Sequence, residues 1–466
     1  MTRLSTIDGG FLLTETPHSP KHVAALIIFQ LPKGKGPAWL RKLLEEMKQI
    51  PPGYPFNQRV RKRAGLFYEL ELDQHLELDY HVRHTVLPRP GGDKELRDAV
   101  ARMHANLLDS DRPLWEFYLI EGLAGRRFAF YIKIHHALAD GITFGRWIEN
   151  CTTTTPRARG VSPIWACGGE PVESVRDDIS YTQMIFDGAK VLGGGVRTAL
   201  GVAAIAGRML QRRFLDRDEH VALPLSAPRT SLNVSTGAAR TLAFVKYPLD
   251  QLRAIGKARG GTINDVVMTM CDMALSHYLE QHGDVPRGSL VAYMPVNVRT
   301  EEEGGDGNLV TLLQVKLASN HRDPLSSLDE VRESIASARE VFSGATRPAV
   351  QYYSLLVALF SLFEELTQLG RLIPPVNNLV ISNVPGSRVR RYINGAEAVG
   401  MYPVSTLPPM TALNVTCCSF AGTLYFGLIA GRTAVPDLPL LIDYLDQAFE
   451  RLAEATGMSD QRRKTA

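Results

Sequence analysis

Phe128-Ala129-Phe130-Tyr131-Ile132-Lys133-Ile134-His135-His136-Ala137-Leu138-Ala139-Asp140-Gly141 is the stretch on which the reading of this 466-residue chain turns. Residues 128–134 form an apolar run broken by a single lysine, the pattern of a strand buried on both faces. Two histidines stand at its end, so the strand delivers an imidazole into a loop, and a helix is expected over 141–150. Imidazole has the side-chain pKa closest to neutrality, and a general base placed on a reacting hydroxyl contributes roughly 10² to 10⁴ in rate. A strand end that presents such a base points first to chemistry.

Working outward, residues 115–122 read as a second strand, and 93–107 as a helix with Leu96, Val100, Met103 and Leu107 on one face. Residues 39–50 carry apolar side chains at helical spacing and are stopped by Pro51-Pro52-Gly53. Residues 21–31, between Pro20 and Pro32, suit a buried strand. Composition changes after Cys151, where a threonine run and a Gly/Pro-containing stretch to Glu170 read as loop. Residues 185–214 combine Ala, Gly, Val and Leu with Lys190, Arg197, Arg208, Arg212 and Arg213. A linker helix is the first reading of that segment and an interfacial membrane helix the second, while Gly193-Gly194-Gly195 argues against one continuous helix. Beyond Ala239 come a strand over 240–249, helices over 250–259 and 262–281, and strands over 289–298, 309–317, 378–382, 412–420 and 423–430, with helices between them and a last helix over 440–455.

A chain of this length exceeds the roughly 250 to 300 residues at which one core stops growing. The expected division is therefore an N-terminal domain over 1–180, a linker over 181–238 and a C-terminal domain over 239–466. The composition is 45% hydrophobic and 22% charged, which supplies two cores. With 52 basic against 49 acidic residues there is no electrostatic footprint for nucleic acid. The five cysteines show neither paired nor CxxC spacing and suit a reducing cytoplasm. The opening residues lack the apolar core of a signal peptide, and no apolar run approaches the ~20 residues that span a bilayer.

The histidine stretch has company. Pro113-Leu114-Trp115-Glu116 precedes it, and Thr262-Ile263-Asn264-Asp265-Val266-Val267, Met294-Pro295-Val296-Asn297-Val298-Arg299, Gly307-Asn308, Ile381-Ser382-Asn383-Val384-Pro385-Gly386 and Ala412-Leu413-Asn414-Val415-Thr416 follow in order. This set resembles the bacterial bifunctional wax ester synthase and acyl-CoA:diacylglycerol acyltransferase family over nearly the whole chain. The opening Leu4-Ser5-Thr6-Ile7-Asp8 with Phe11-Leu12 and His22-Val23 is similar too, although Lys21 stands where the family has methionine, a departure expected to affect local packing only. The wider superfamily includes chloramphenicol acetyltransferase, carnitine acyltransferases and peptide-synthetase condensation domains. The resemblance implies an α/β protein of two chloramphenicol-acetyltransferase-like domains, each a mixed β-sheet flanked by helices, with the active-site tunnel between them.

It also implies roles. His136, the second histidine, is the expected base and His135 its neighbour. Asp140 is expected to hold the loop by pairing with an arginine, for which Arg299 is the candidate through two hydrogen bonds from its planar fork. Gly141 is expected to permit a tight turn into the helix. Asn264 is the candidate donor at the developing oxyanion or the acceptor hydroxyl, with helix N-capping as the other reading. Trp115 reads as core first and pocket wall second; Asn383 and Asn414, with Asn297, read as buried amides first and substrate contacts second. Arg388, Arg390 and Arg391 form a basic cluster read as a solvated turn, with CoA phosphates as the other reading.

The implied reaction moves a long-chain acyl group from acyl-CoA to a fatty alcohol or diacylglycerol, with acyl-CoA as co-substrate, no bound cofactor, no metal and no covalent acyl-enzyme. The implied setting is cytoplasmic, with peripheral contact to membrane or lipid inclusions. A superfamily acyltransferase using a carrier-protein thioester or an amine, and a non-enzymatic lipid-surface protein, are the competing readings. Neither an HExxH zinc pattern nor a GxSxG elbow nor a nucleotide-binding glycine fingerprint occurs.

Overall fold

The computed structural model describes residues 2–4, 6–63, 68–160, 162–169, 195–297, 310–318, 323–367 and 373–458. Two six-stranded mixed sheets dominate. In the first, the strands His22–Gln30 and Arg127–His135 lie antiparallel at the centre, Trp115–Leu123 follows antiparallel to the latter, and Val82–Val86 closes the edge in parallel. In the second the order is Val310–Lys316, Val291–Asn297, Leu379–Val384, Leu413–Phe420, Thr423–Gly431 and Arg240–Pro248, with parallel pairing on both sides of Leu379–Val384. A small antiparallel sheet of Thr2–Arg3, Tyr68–Leu72 and Gln58–Lys62 lies apart.

The central strands show why their sequence is apolar throughout. Ala25, Ile27 and Phe29 face a core that contains Phe117, Phe130 and Trp165. Their alternates Ala24, Leu26 and Ile28 face another that contains Leu96, Val100 and Tyr131. A strand covered on both sides cannot alternate polar with apolar. The Asp93–Ala105 helix covers that second face and packs on Arg240–Pro248 of the other sheet, so one helix serves both halves. It ends two residues before the expected 107, and Leu107 is exposed rather than on the buried face.

The contiguous domain division needs one correction. The strand Ala396–Val404 pairs with His22–Gln30, and Tyr392–Ile393 joins it, so the C-terminal half contributes two strands to the first sheet. The sheets meet closely there, because a Cβ on Gly427 of the second sheet would run into the Pro403 carbonyl of the first.

The residues around 185–214 divide: 185–194 lie outside the described residues, and Gly195–Leu210 is a helix continued by a wider turn to Leu215. Ile205 and Met209 bury in the core of the second half, as a packed linker helix requires. No helix among the described residues is long and apolar enough to cross a membrane.

Candidate active site

His135 and His136 leave the end of the Arg127–His135 strand in register with His22. The Pro113-Leu114-Trp115-Glu116 segment acts here as scaffold, since Leu114 accepts from the His135 N–H at 3.0 Å and Trp115 pairs with Ile134. Glu116 meets the wholly buried Lys133 ammonium at 2.7 Å, and the same Nζ donates to the carbonyls of Met103 and Asn106. That pairing ties the histidine strand to its neighbour and to the end of the interdomain helix; a buried ammonium without such partners would destabilise the fold.

The two imidazoles have different surroundings. His135 is completely buried, and its Nδ1 accepts from the Ala137 N–H at 3.0 Å, which leaves the proton on Nε2, 3.5 Å from a Glu15 carboxylate oxygen. His136 is half-buried, with its N–H on the Lys21 carbonyl at 2.8 Å and its ring stacked on Phe11 at 4.2 Å and 15°. Burial lowers the His136 pKa to about 4, opposed by a hydrogen bond to its own carbonyl and by Asp140, and reinforced by the charges of His135 and Lys21. The imidazole is therefore neutral, and open to accept a proton, at neutral pH.

Lys21 therefore does more than alter local packing. It is buried, its Nζ donates to Ser19 Oγ at 2.5 Å, its N–H reaches Glu15 at 2.8 Å, and its charge bears on His136.

Asp140 is the N-cap of the Gly141–Asn150 helix and accepts from the Thr143 N–H at 2.7 Å. Its expected partner Arg299 lies outside the described residues, as do Gly307 and Asn308. The cap makes a definite expectation. Asp140→Ala should lower stability by about 1 kcal/mol, whereas Asp140→Asn, which caps as well, should retain most of it. Loss of the Asp140 charge moves the His136 pKa further down, so the pH profile of turnover in the neutral range should stay unchanged in both, as chemical denaturation and rate measurements will show; a new inflection near neutrality at unchanged stability would remove Asp140 from the scaffold. Gly141 is an ordinary first-turn helical residue, not a special turn. A Cβ there would lie 3.2 Å from the Val384 side chain of the second sheet, so any larger residue would press on that contact.

Across that contact, Asn264 and Asn383 come together, with the Asn383 amide donating to Asn264 Oδ1 at 2.7 Å. Asn264 is not the helix cap: Thr262 is, in a reciprocal box with Asp265. With its oxygen occupied, Asn264 has its own amide N–H groups to offer. Trp115 and Asn414, each read first as packing and second as a substrate contact, are both packed. Trp115 has no exposed surface, donates to the Phe56 carbonyl at 2.7 Å and stacks on His81 and Trp165, so it lines no open space. Asn414 is buried with both ends satisfied, donating to the Thr406 carbonyl and accepting from Thr416. In the basic cluster, Arg390 pairs with Glu397, and Arg391 with Glu149 and Ser387. Phe11 was visible in the opening motif without a role, and Glu15 had no sequence signal.

Two mixed sheets with a histidine pair at their junction define a chloramphenicol-acetyltransferase-like fold. The first condensation domain of the calcium-dependent antibiotic (CDA) synthetase shares it, with a TM-score of 0.55 and 16% identity over 98% of each chain. The chain belongs to the wax ester synthase/diacylglycerol acyltransferase family: the family's catalytic-domain model matches residues 4–267 and its C-terminal-domain model residues 306–453. A putative diacylglycerol O-acyltransferase of Mycobacterium tuberculosis (strain ATCC 25618 / H37Rv) is 35% identical over 458 residues, 98% of this chain and 100% of that protein. An O-acyltransferase of Acinetobacter baylyi is 33% identical over 459 residues, 97% of this chain and 96% of the relative. The wax ester synthase/diacylglycerol acyltransferase of Marinobacter aquaeolei superposes with a TM-score of 0.76 at 31% identity, covering 98% of this chain and 100% of that one. The chain is thus an acyltransferase.

Proposed function

We propose that the enzyme transfers a long-chain fatty acyl group from acyl-CoA to a fatty alcohol, giving a wax ester, or to diacylglycerol, giving triacylglycerol, with His136 as general base. The observation that carries this reading is a His136 imidazole kept neutral at the end of a strand whose following loop meets the second sheet, where Val384 faces Gly141 and the adjacent Asn383 bonds Asn264 of the Ile263–Gln281 helix. An alcohol has almost no alkoxide at neutral pH, so His136 takes its proton as the oxygen attacks the thioester carbonyl. The carbonyl oxygen gains negative charge, and an Asn264 amide N–H is suited to meet it; one such donor contributes on the order of 3 kcal/mol. The tetrahedral species collapses, the C–S bond breaks, and the proton on His136 passes to the CoA thiolate. Alcohol and thioester react directly, so no acyl-enzyme forms.

The test is product analysis with purified protein and palmitoyl-CoA. Hexadecanol or diacylglycerol should yield the corresponding ester with release of CoA, while a long-chain amine or a carrier-protein thioester should serve poorly. Transfer to the amine alone, or only from the carrier protein, would replace this substrate class.

We further place the enzyme in the cytoplasm at a lipid surface. Leu200, Phe214 and Leu215 are exposed by 64, 64 and 78%, and the helix that bears Leu200 packs on Arg347–Thr367, where Leu356 and Phe363 are also exposed. Arg212 serves the fold instead, paired with Asp218 and Glu340. Apolar side chains beside basic ones suit the boundary of an anionic bilayer. Leu200→Ser/Phe214→Ser/Leu215→Ser should therefore weaken flotation with anionic liposomes several-fold, and unaltered flotation would dismiss this surface.

A further inference from the structure

The opening segment remains without a function in the scheme above, yet Phe11 of its motif and Glu15 just beyond it stand against the two histidines. Phe11 lies in the Thr6–Leu13 helix and stacks on His136 at 4.2 Å and 15°. Glu15 presents a carboxylate oxygen to His135 Nε2 at 3.5 Å and accepts from the Lys21 N–H at 2.8 Å. The Lys21 carbonyl in turn holds the His136 N–H at 2.8 Å. The segment is anchored at both ends. Thr2 and Arg3 pair with Leu70 and Glu69, and the Leu4 N–H reaches the Tyr68 carbonyl at 3.0 Å. At the other end Ser19 donates to the Leu407 carbonyl at 2.8 Å, and the His18 carbonyl accepts from Arg240 at 2.6 Å. Between these anchors Phe11 and Glu15 are set against the catalytic strand end.

We propose that this N-terminal arm is part of the catalytic apparatus, with Phe11 and Glu15 as positioning residues: Phe11 fixes the plane of the His136 ring, and Glu15 fixes His135 beside it. The proposal rests on His136 being the base. The outer torsion of a histidine is broad, and beyond the bond to its own carbonyl the ring of His136 takes its plane from the stack. A face-to-face contact of this kind biases ring orientation by roughly twofold to tenfold. A base displaced by about 1 Å can lose on the order of a hundredfold in rate. Glu15 acts one step further away. Held by the Lys21 N–H, its carboxylate stands 3.5 Å from His135 Nε2, on the side of the ring opposite the nitrogen that the Ala137 N–H occupies, and so helps to fix that ring beside His136.

The experiment compares steady-state kinetics of CoA release from palmitoyl-CoA and hexadecanol for Phe11→Tyr, Phe11→Leu, Glu15→Gln and Glu15→Leu, with His136→Ala alongside. Phe11→Leu fills the space without a stack and should lower kcat by about threefold to tenfold, with both KM values within about twofold of the parent. Phe11→Tyr restores the stack and should restore kcat. Glu15→Gln still accepts from the Lys21 N–H and keeps an oxygen facing His135, and should stay near the parent, whereas Glu15→Leu should fall in kcat. Thermal melting is read for each variant, and Phe11→Tyr and Glu15→Gln decide the matter if the leucine variants do not fold, since loss of kcat in the conservative pair would overturn the proposal. A Phe11→Leu enzyme with unchanged kcat, or with a raised KM alone, would also overturn it, because Phe11 would then be idle or a substrate wall. An active His136→Ala enzyme would instead overturn the base assignment, whatever Phe11 does.

Discussion

His136→Ala is expected to reduce acceptor-dependent release of CoA by on the order of 10² to 10⁴ while the protein stays folded. The fold should tolerate the change because the ring is half-buried and its ring contact is Phe11. His135→Ala is a different change, since it removes a completely buried ring. The pH dependence carries its own sign. Burial disfavours the charged imidazole and lowers the His136 pKa to about 4, so the neutral, accepting form prevails throughout the neutral range. The limb of kcat/KM that reports the free base should therefore appear only as pH falls toward 4, with no inflection from this residue near the ordinary histidine value of about 6.5. A rate that halves near pH 6.5 would mean that some other group controls the step.

Gly427→Ala should destabilise the protein by about 1 to 3 kcal/mol and abolish most of its activity, although residue 427 touches neither histidine. Gly427 lies in Thr423–Gly431, and its missing side chain is what lets the Pro403 carbonyl of the first sheet approach. The obstructing atoms are backbone, so no side chain can swing aside. The sheets would have to part, and with them the junction at which Val384 meets Gly141 and Asn383 meets Asn264. Gly207→Ala is the control. It is an exposed glycine inside a helix with open space around it, and alanine there should stabilise by about 0.5 to 1 kcal/mol. Urea unfolding midpoints of the two variants should move in opposite directions, and equal small effects would show that the sheet contact is looser than described.

Residues 21–31 and 128–134 were legible as strands because each is covered on both faces and so spells its burial in a continuous apolar run. The histidines were legible for the same reason, since they break such a run. Ala396–Val404 was not. It carries Glu397, Gly400 and Pro403, its register slips between Ala398 and Gly400, and most of its length has no neighbour on its outer side, where proline is tolerated. That it joins the first sheet is a long-range fact that no local pattern encodes. Val82–Val86 is an edge strand with Arg83, His84 and Thr85, too polar to signal. At the site, helix capping was the other reading of Asn264, and the cap is Thr262, which leaves Asn264 for Asn383. Trp115 and Asn414 look alike in sequence as core or pocket, and only their packing and satisfied hydrogen bonds separate the two. Phe11 and Glu15 reach the histidines through folding of a segment whose two adjacent glycines, Gly9 and Gly10, mask its helix.

The central claim is direct transfer from thioester to alcohol with His136 as base and no acylated protein. Its most direct test mixes purified enzyme with palmitoyl-CoA, with and without hexadecanol, and reads free CoA and intact protein mass together. The account predicts CoA release only when the alcohol is present and a protein mass that never changes. Release of CoA without acceptor, matched by one palmitoyl group on the protein, would contradict it.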